Sequence, residues 1–159
     1  MSRTSLLSFP SCVYDENGTK IKCNTGELIK VDLKSNDVAV FPWNKKRFID
    51  NIIYLRGIPF KYDNLNHMSY FYTYIDLCYV YNGNHSICSG IYYKKGKIKS
   101  EVFKLELLFD HIYSDGLYWY NSHTNEKLYE VEDFRVAVIF EIAKLKYKFE
   151  QKISEENNS

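Results

Sequence analysis

An α+β fold is what this sequence predicts: an antiparallel sheet of about six to eight strands in a hairpin meander, a short helix near 45–56, and a long amphipathic C-terminal helix packed on one face. Three observations carry that prediction. The turn dipeptides Asn17-Gly18, Asn82-Gly83 and Asp115-Gly116 separate runs of alternating or continuously apolar residues. The stretch "NKKRFIDNIIYLRGIP" changes period, with Phe48, Ile52 and Leu55 on one helical face and Ile49 and Ile53 beside them. Towards the C-terminus, Phe134, Val138, Ile142, Leu145, Phe149 and Ile153 recur at intervals of 4, 4, 3, 4 and 4, an amphipathic stripe.

The first hairpin takes residues 6–14 and 19–33, with Gly26 marking a bend. A two-residue Asn17-Gly18 loop sets Glu16 opposite Thr19 and, counting outward, Cys12 opposite Cys23. That would be a hydrogen-bonded pair, where side chains stand farther apart and a disulfide is awkward. A second hairpin around Asn82-Gly83-Asn84 would likewise set Cys78 opposite Cys88. Neither pair has the short knuckle spacing of a zinc site. The four cysteines therefore read as structural thiols, with a metal site or disulfides as alternatives, and no metal or other cofactor is expected.

In the helix near 45–56, Asn44 can cap the start, Gly57 can end it, and Pro59 forbids continuation. Lys45, Lys46 and Arg47 occupy the first turn, where the helix dipole disfavours cations, which makes the trio a candidate contact point. Residues 61–68 read as a loop. Three strand-like runs follow, 69–81, 86–93 and 98–109. The first is apolar on both faces, with Tyr70, Tyr72 and Tyr74 on one and Phe71, Ile75 and Leu77 on the other. Asp76 is a charge in mid-strand that calls for a partner or a role.

Residues 102–113 alternate, and Leu105, Leu108 and Ile112 also match a helical period; Asp115-Gly116 favours a hairpin in which Tyr113 faces Tyr118 and Ile112 faces Trp119. Within "YWYNSHTNEKLYEVE", Tyr118, Tyr120, Asn121, Thr124 and Tyr129 resemble the second hairpin of WW domains. The upstream Trp and downstream Pro of that family are missing here. The resemblance implies shared turn chemistry, in which Asn and Thr side chains bond the loop backbone, and not proline-motif binding. The C-terminal helix starts at Asp133 as N-cap, with Glu130 and Glu132 beside it and Lys144, Lys146, Lys148 and Lys152 in its second half. Residues 1–153 read as a single domain and 154–159 as a disordered polar tail.

Composition bounds the function. Apolar residues make up 45% and charged residues 26%, enough to build a core without staples. The net charge of +1 supplies no global field towards nucleic acid or membrane. Charge is uneven, basic over 94–104 and acidic over 126–133, which suits a shaped protein partner. Neither a signal-peptide core nor a membrane span is legible, so the cytosol is expected, that of the host cell if the source is viral. The abundance of Lys, Asn, Tyr, Phe and Ile fits AT-rich codons, which supply part of the tyrosine excess.

No phosphate loop, metalloprotease helix or nucleophile elbow is present. Among the histidines, His111 and His123 with a tyrosine are the best catalytic grouping, so a small His-dependent hydrolase or nuclease is one alternative. A second is a single-stranded nucleic-acid binder using a Tyr- and Lys-rich hairpin at 92–99. The favoured expectation is a non-enzymatic protein-binding module, an inhibitor or immunity-type factor of a phage or mobile element, with a macromolecular protein partner. Its contact residues are expected to be Tyr70, Tyr72, Tyr74, Tyr92, Tyr93, Lys94, Lys95, Lys97, Trp119 and His123. A homodimer through the C-terminal helix is possible on length alone.

Overall fold

The α+β class is the one the chain adopts in its computed structural model, which describes residues 8–157. In chain order the elements are β1 (Cys12–Tyr14), β2 (Lys20–Lys22), β3 (Asn24–Asp32), β4 (Asp37–Ala39), α1 (Lys45–Leu55), β5 (Met68–Tyr72) and β6 (Leu77–Asn82). There follow α2 (Asn84–Tyr92), β7 (Lys97–Phe103), a short 3-10 turn at Leu105–Leu108, β8 (Ile112–Ser114), β9 (Tyr118–Asn121), β10 (Lys127–Glu130) and α3 (Phe134–Asn157). The chain divides into two compact units: residues 8–23 with 104–157, and Asn24–Phe103.

The Asn24–Phe103 unit is built on a five-stranded mixed sheet in the order β3-β7-β5-β6-β4. β3 runs antiparallel to β7 and β5 antiparallel to β6, whereas β5 with β7 and β4 with β6 are parallel pairs. Parallel neighbours cannot be joined by a tight turn: the chain passes from β5 to β7 through β6 and α2, and from β4 to β6 through α1 and β5. Val31, Leu33, Phe71, Cys78, Val80, Ile87 and Ile98 form the buried core, with Val38, Val40, Phe60, Tyr62 and Ile91 packed against it.

The other unit holds a three-stranded antiparallel sheet, β10-β9-β8, the small β1-β2 hairpin, and α3. Phe140 on α3 is fully buried, with its ring 5.2 Å from Trp119, 5.3 Å from Phe109 and 6.3 Å from Phe9. Val136, Ala137 and Ala143 complete that packed face of the helix. Asp133 caps the helix by accepting from the Arg135 backbone N–H at 2.9 Å.

Several sequence expectations need correction. Residues 86–93 fall in a helix, not a strand: Ile87 and Ile91 share a face at helical spacing, and Ser86 and Ser89 hydrogen bond back to the carbonyls of Gly83 and His85. The run 69–81 is a hairpin rather than one strand. Asp76 sits exposed in its turn at φ 54°, which an Asp tolerates, so its charge is not in mid-sheet. The run 98–109 ends as a strand at Phe103 and turns into the 3-10 segment. Among the described residues the strands number ten rather than six to eight, and two pairings are parallel rather than parts of a meander.

Hairpin registers shift for a common reason: carboxylates in the turns bond the loop backbone and widen it. The Asp15 carboxylate accepts from Asn17 N and Thr19 N, so Cys12 pairs with Lys22 rather than Cys23. The Asp115 carboxylate accepts from Leu117 N and Tyr118 N, and Tyr113 pairs with Tyr120 rather than Tyr118. Cys78 lies buried against Ser100 instead of facing Cys88, and all four cysteines are free thiols. The expected bend at Gly26 lies in a β3 irregularity at φ 72°. The WW-like turn chemistry is present: Asn121 Oδ1 accepts from His123 N and Thr124 N, and Thr124 Oγ1 from Glu126 N. Helix α3 runs on to Asn157, into the segment read as a tail. The first two residues of the strand expected from 6, and the end of that tail, lie outside the described residues.

Candidate functional site

An exposed aromatic surface of the Asn24–Phe103 unit is built around α1 and α2. Asn44 Oδ1 caps α1 through Arg47 N at 2.9 Å. The two helix starts are tied together where Asn84 Oδ1 accepts from Phe41 N and His85 Nε2 from Asn44 N. At the other end the Tyr93 hydroxyl donates to Ile52 O at 2.9 Å, and the Lys95 ammonium donates to the carbonyls of Leu55 and Ile58. With α1 held this way, Phe48, Ile52 and Leu55 turn inward and Ile49 and Ile53 stay exposed.

Trp43 is 59% exposed, with its ring 5.2 Å from His85 and the Arg47 guanidinium 5.3 Å from it. Tyr54 and Tyr92 are 69% and 65% exposed. Lys45, Lys46, Arg47 and Lys94 are exposed around these rings. Trp, Tyr and Arg are the residue types that carry most binding energy at protein interfaces in general.

A cavity of about 500 Å³ opens beside Tyr54, walled by Leu55, Ile58, Phe60, Tyr62, His67 and Ser86 among others. Its histidine is locked in place. His67 Nδ1 accepts from Asp63 N at 3.0 Å, so Nε2 carries the proton and donates to Ser86 Oγ at 2.8 Å, and Ser86 donates onward to Gly83 O. A histidine that donates to a serine cannot also take its proton, so this pair is not an activated nucleophile. The Phe60 ring stacks on the imidazole at 5.1 Å. What remains for a visitor is a hollow of mixed character, in which Asn51, Lys61, Asn64 and Asn66 stand beside the apolar walls.

Burial lowers the pKa of His67 below its ordinary value, and protonating Nδ1 would break the bond from Asp63. Protons therefore bind the unfolded chain more readily than the folded one. The stability this contributes is full above the unfolded pKa of about 6.5 and is lost as pH falls towards the folded value. Denaturant midpoints should accordingly drop as pH falls below about 6.5. His67→Gln should weaken the protein at neutral pH and flatten that portion of the profile, and an unchanged profile would contradict this reading.

The sequence-based contact residues scatter. Tyr72 is 3% exposed and Tyr70 half-buried, with the Tyr70 ring 4.5 Å from Tyr81 and 4.6 Å from Phe103. Burial, with Tyr70 beside it, pushes the Tyr81 hydroxyl up to about 12. The expected open face of Tyr70, Tyr72 and Tyr74 is thus corrected: Tyr74 lies in the β5–β6 turn, and the phenols pack on one another. Trp119 is buried under Phe140 and has no surface to offer.

Tyr92, Tyr93, Lys94 and Lys95 do come together at the α2 end, with Tyr93 and Lys95 spent on holding α1. Lys97 pairs with Asp32 at 3.2 Å. Residues 92–99 are the end of α2 and the start of β7, so the expected nucleic-acid hairpin is not formed. In the other unit His123 is exposed, with Nε2 2.8 Å from His111 Nδ1, so those two histidines do meet. Among the described residues no group of three or more His, Cys, Asp or Glu is placed to hold a metal ion.

Sequence reasoning missed Phe41, Trp43, Ile53 and Tyr54 as surface. The available signal was the lysine-arginine trio after Trp43, cations placed where a helix start disfavours them.

Fold and site together define a two-unit α+β protein that presents an aromatic, cationic helical face next to a hollow of mixed polar and apolar lining. The chain belongs to the DUF6710 family, a family of unknown function, whose model matches residues 8–153. No curated protein and no solved structure matches it. Among the described residues, no helix is long and apolar enough to cross a membrane.

Proposed function

We propose that this chain is a non-catalytic protein-binding module that docks a macromolecular partner through the α1–α2 face. The observation that supports it is the exposure of Trp43, Tyr54 and Tyr92 beside Arg47 and the first-turn lysines of α1. Rigid rings give contact area at small entropic cost, and a hollow beside Tyr54 suits a protruding side chain of the partner. The surrounding cations select a partner surface that is acidic as well as apolar. Such a module acts by occupying its partner, as inhibitors and immunity factors do.

The test is affinity capture from a lysate on immobilised wild-type chain and on Trp43→Ala and Arg47→Glu. One protein held stoichiometrically by the wild type and lost by both variants supports the reading. Equal recovery on all three overturns it. Release of nucleic acid as salt rises, with no protein retained, favours stacking of bases on Tyr92 beside Lys94 instead.

A further inference from the structure

Helix α3 is apolar on two opposite sides. Val136, Ala137, Phe140 and Ala143 face the packed side, where Lys144 donates to Ile112 O at 2.6 Å and Glu141 accepts from Ser114 N at 2.8 Å. At 100° per residue, the stripe of Phe134, Val138, Ile142, Leu145, Phe149 and Ile153 lies on the reverse side. All six are exposed: Phe134, Ile142, Leu145 and Phe149 by more than 60%, Val138 and Ile153 by 37% and 42%. The sequence-based expectation that this stripe packs on the sheet therefore had the helix turned the wrong way.

An uncovered apolar seam running from Phe134 to Ile153 is about 28 Å long, which a monomer gains nothing by exposing. The intervals say what fits it. The spacing 4, 4, 3, 4, 4 reads the same in both directions. Two copies of α3 laid antiparallel, centred between residues 143 and 144, set every stripe residue against another. Phe134 then meets Ile153 of the second copy, Val138 meets Phe149, and Ile142 meets Leu145. The same register brings Arg135, which also pairs with Asp133 of its own chain, beside Glu150 of the second copy. Antiparallel helices also set their dipoles favourably.

We propose that the exposed side of α3 is a homodimer interface, in which the helices of two chains pair antiparallel in this register. It is carried by α3 alone and does not depend on the α1–α2 face.

Analytical ultracentrifugation of the full chain tests it. The wild type should sediment as a concentration-dependent dimer. Ile142→Asp and Leu145→Lys each bury one unpaired charge and should weaken dimerisation by roughly a hundredfold or more. The double variant opposes the carboxylate introduced at 142 to the ammonium introduced at 145 on the other chain, twice over, and should recover most of the loss. In a parallel pair it would instead set like charges together. Because both positions are exposed, circular dichroism should be unchanged throughout. A wild type that stays monomeric at every concentration overturns the proposal. A double variant no better than the singles overturns the antiparallel register.

Discussion

Phe140→Ala should cost about 3–5 kcal/mol, the largest stability loss of any single truncation proposed for this chain. The ring is fully buried, and its loss would leave a void between Trp119, Phe109 and Phe9, with ring centroids at 5.2, 5.3 and 6.3 Å. Aromatic edge contacts add to the area term, because the Trp119 and Phe109 rings meet Phe140 at 83° and 75°. The helix cannot easily sink into the void, since Ala137 and Ala143 are already small and Lys144 pins the backbone of Ile112. The chain has two tryptophans, one buried at 119 and one exposed at 43. In a Trp43→Phe background, Trp119 alone reports urea unfolding beside the altered position. A midpoint that does not move would show that α3 is not anchored through Phe140.

Gly96→Ala should cost about 2–6 kcal/mol, from a backbone strain of about 1–3 and an overpacking term of similar size. Gly96 sits at φ +106°, where an L side chain is strained. A Cβ there would also stand 2.5 Å from Cγ and Cδ1 of Phe60, the ring that stacks on His67 and walls the hollow. Phe60 cannot give way without uncovering the imidazole. Gly57→Ala is the control, because nothing lies within 4 Å of a Cβ added there and the change should be near neutral. Trimming the ring with Phe60→Leu in the Gly96→Ala chain should recover the clash but not the φ penalty. Equal stability of the two alanine variants would refute the assignment.

What the sequence made legible was what local chemistry decides. The Asn44 and Asp133 caps, the extent of α1 and the start of α3 follow from capping side chains and helical period, and all are present. The Asn121 turn followed from side-chain bonding and is also present. What failed was decided at a distance. In α2, Ile87, Ile91 and Tyr92 are strand-favouring residues in a short segment, yet the connection that passes β5 from β6 to β7 is helical. In α3 the bulky stripe outweighed the small Ala137 and Ala143 that mark the packed side, because close approach favours small residues that a hydrophobicity pattern undervalues.

The candidate site was the least legible. Tyr70 and Trp43 are equally plausible contact residues on composition. Only the tertiary arrangement buries Tyr70 against Tyr81 and Phe103 and leaves Trp43 outside. The basic cluster at 94–97 looked like one patch, yet Lys95 is tied to α1 carbonyls and Lys97 to Asp32.

The most direct test of the docking account is isothermal titration of the protein captured by the wild-type chain against wild type, Trp43→Ala and Tyr54→Ala. Side chains this exposed should leave the thermal midpoint nearly unchanged. Each substitution should weaken binding by roughly thirtyfold or more, the loss of about 2 kcal/mol expected of an interface anchor. Affinities equal to wild type in both variants would mean that the partner sits elsewhere and that the α1–α2 face is not the docking surface.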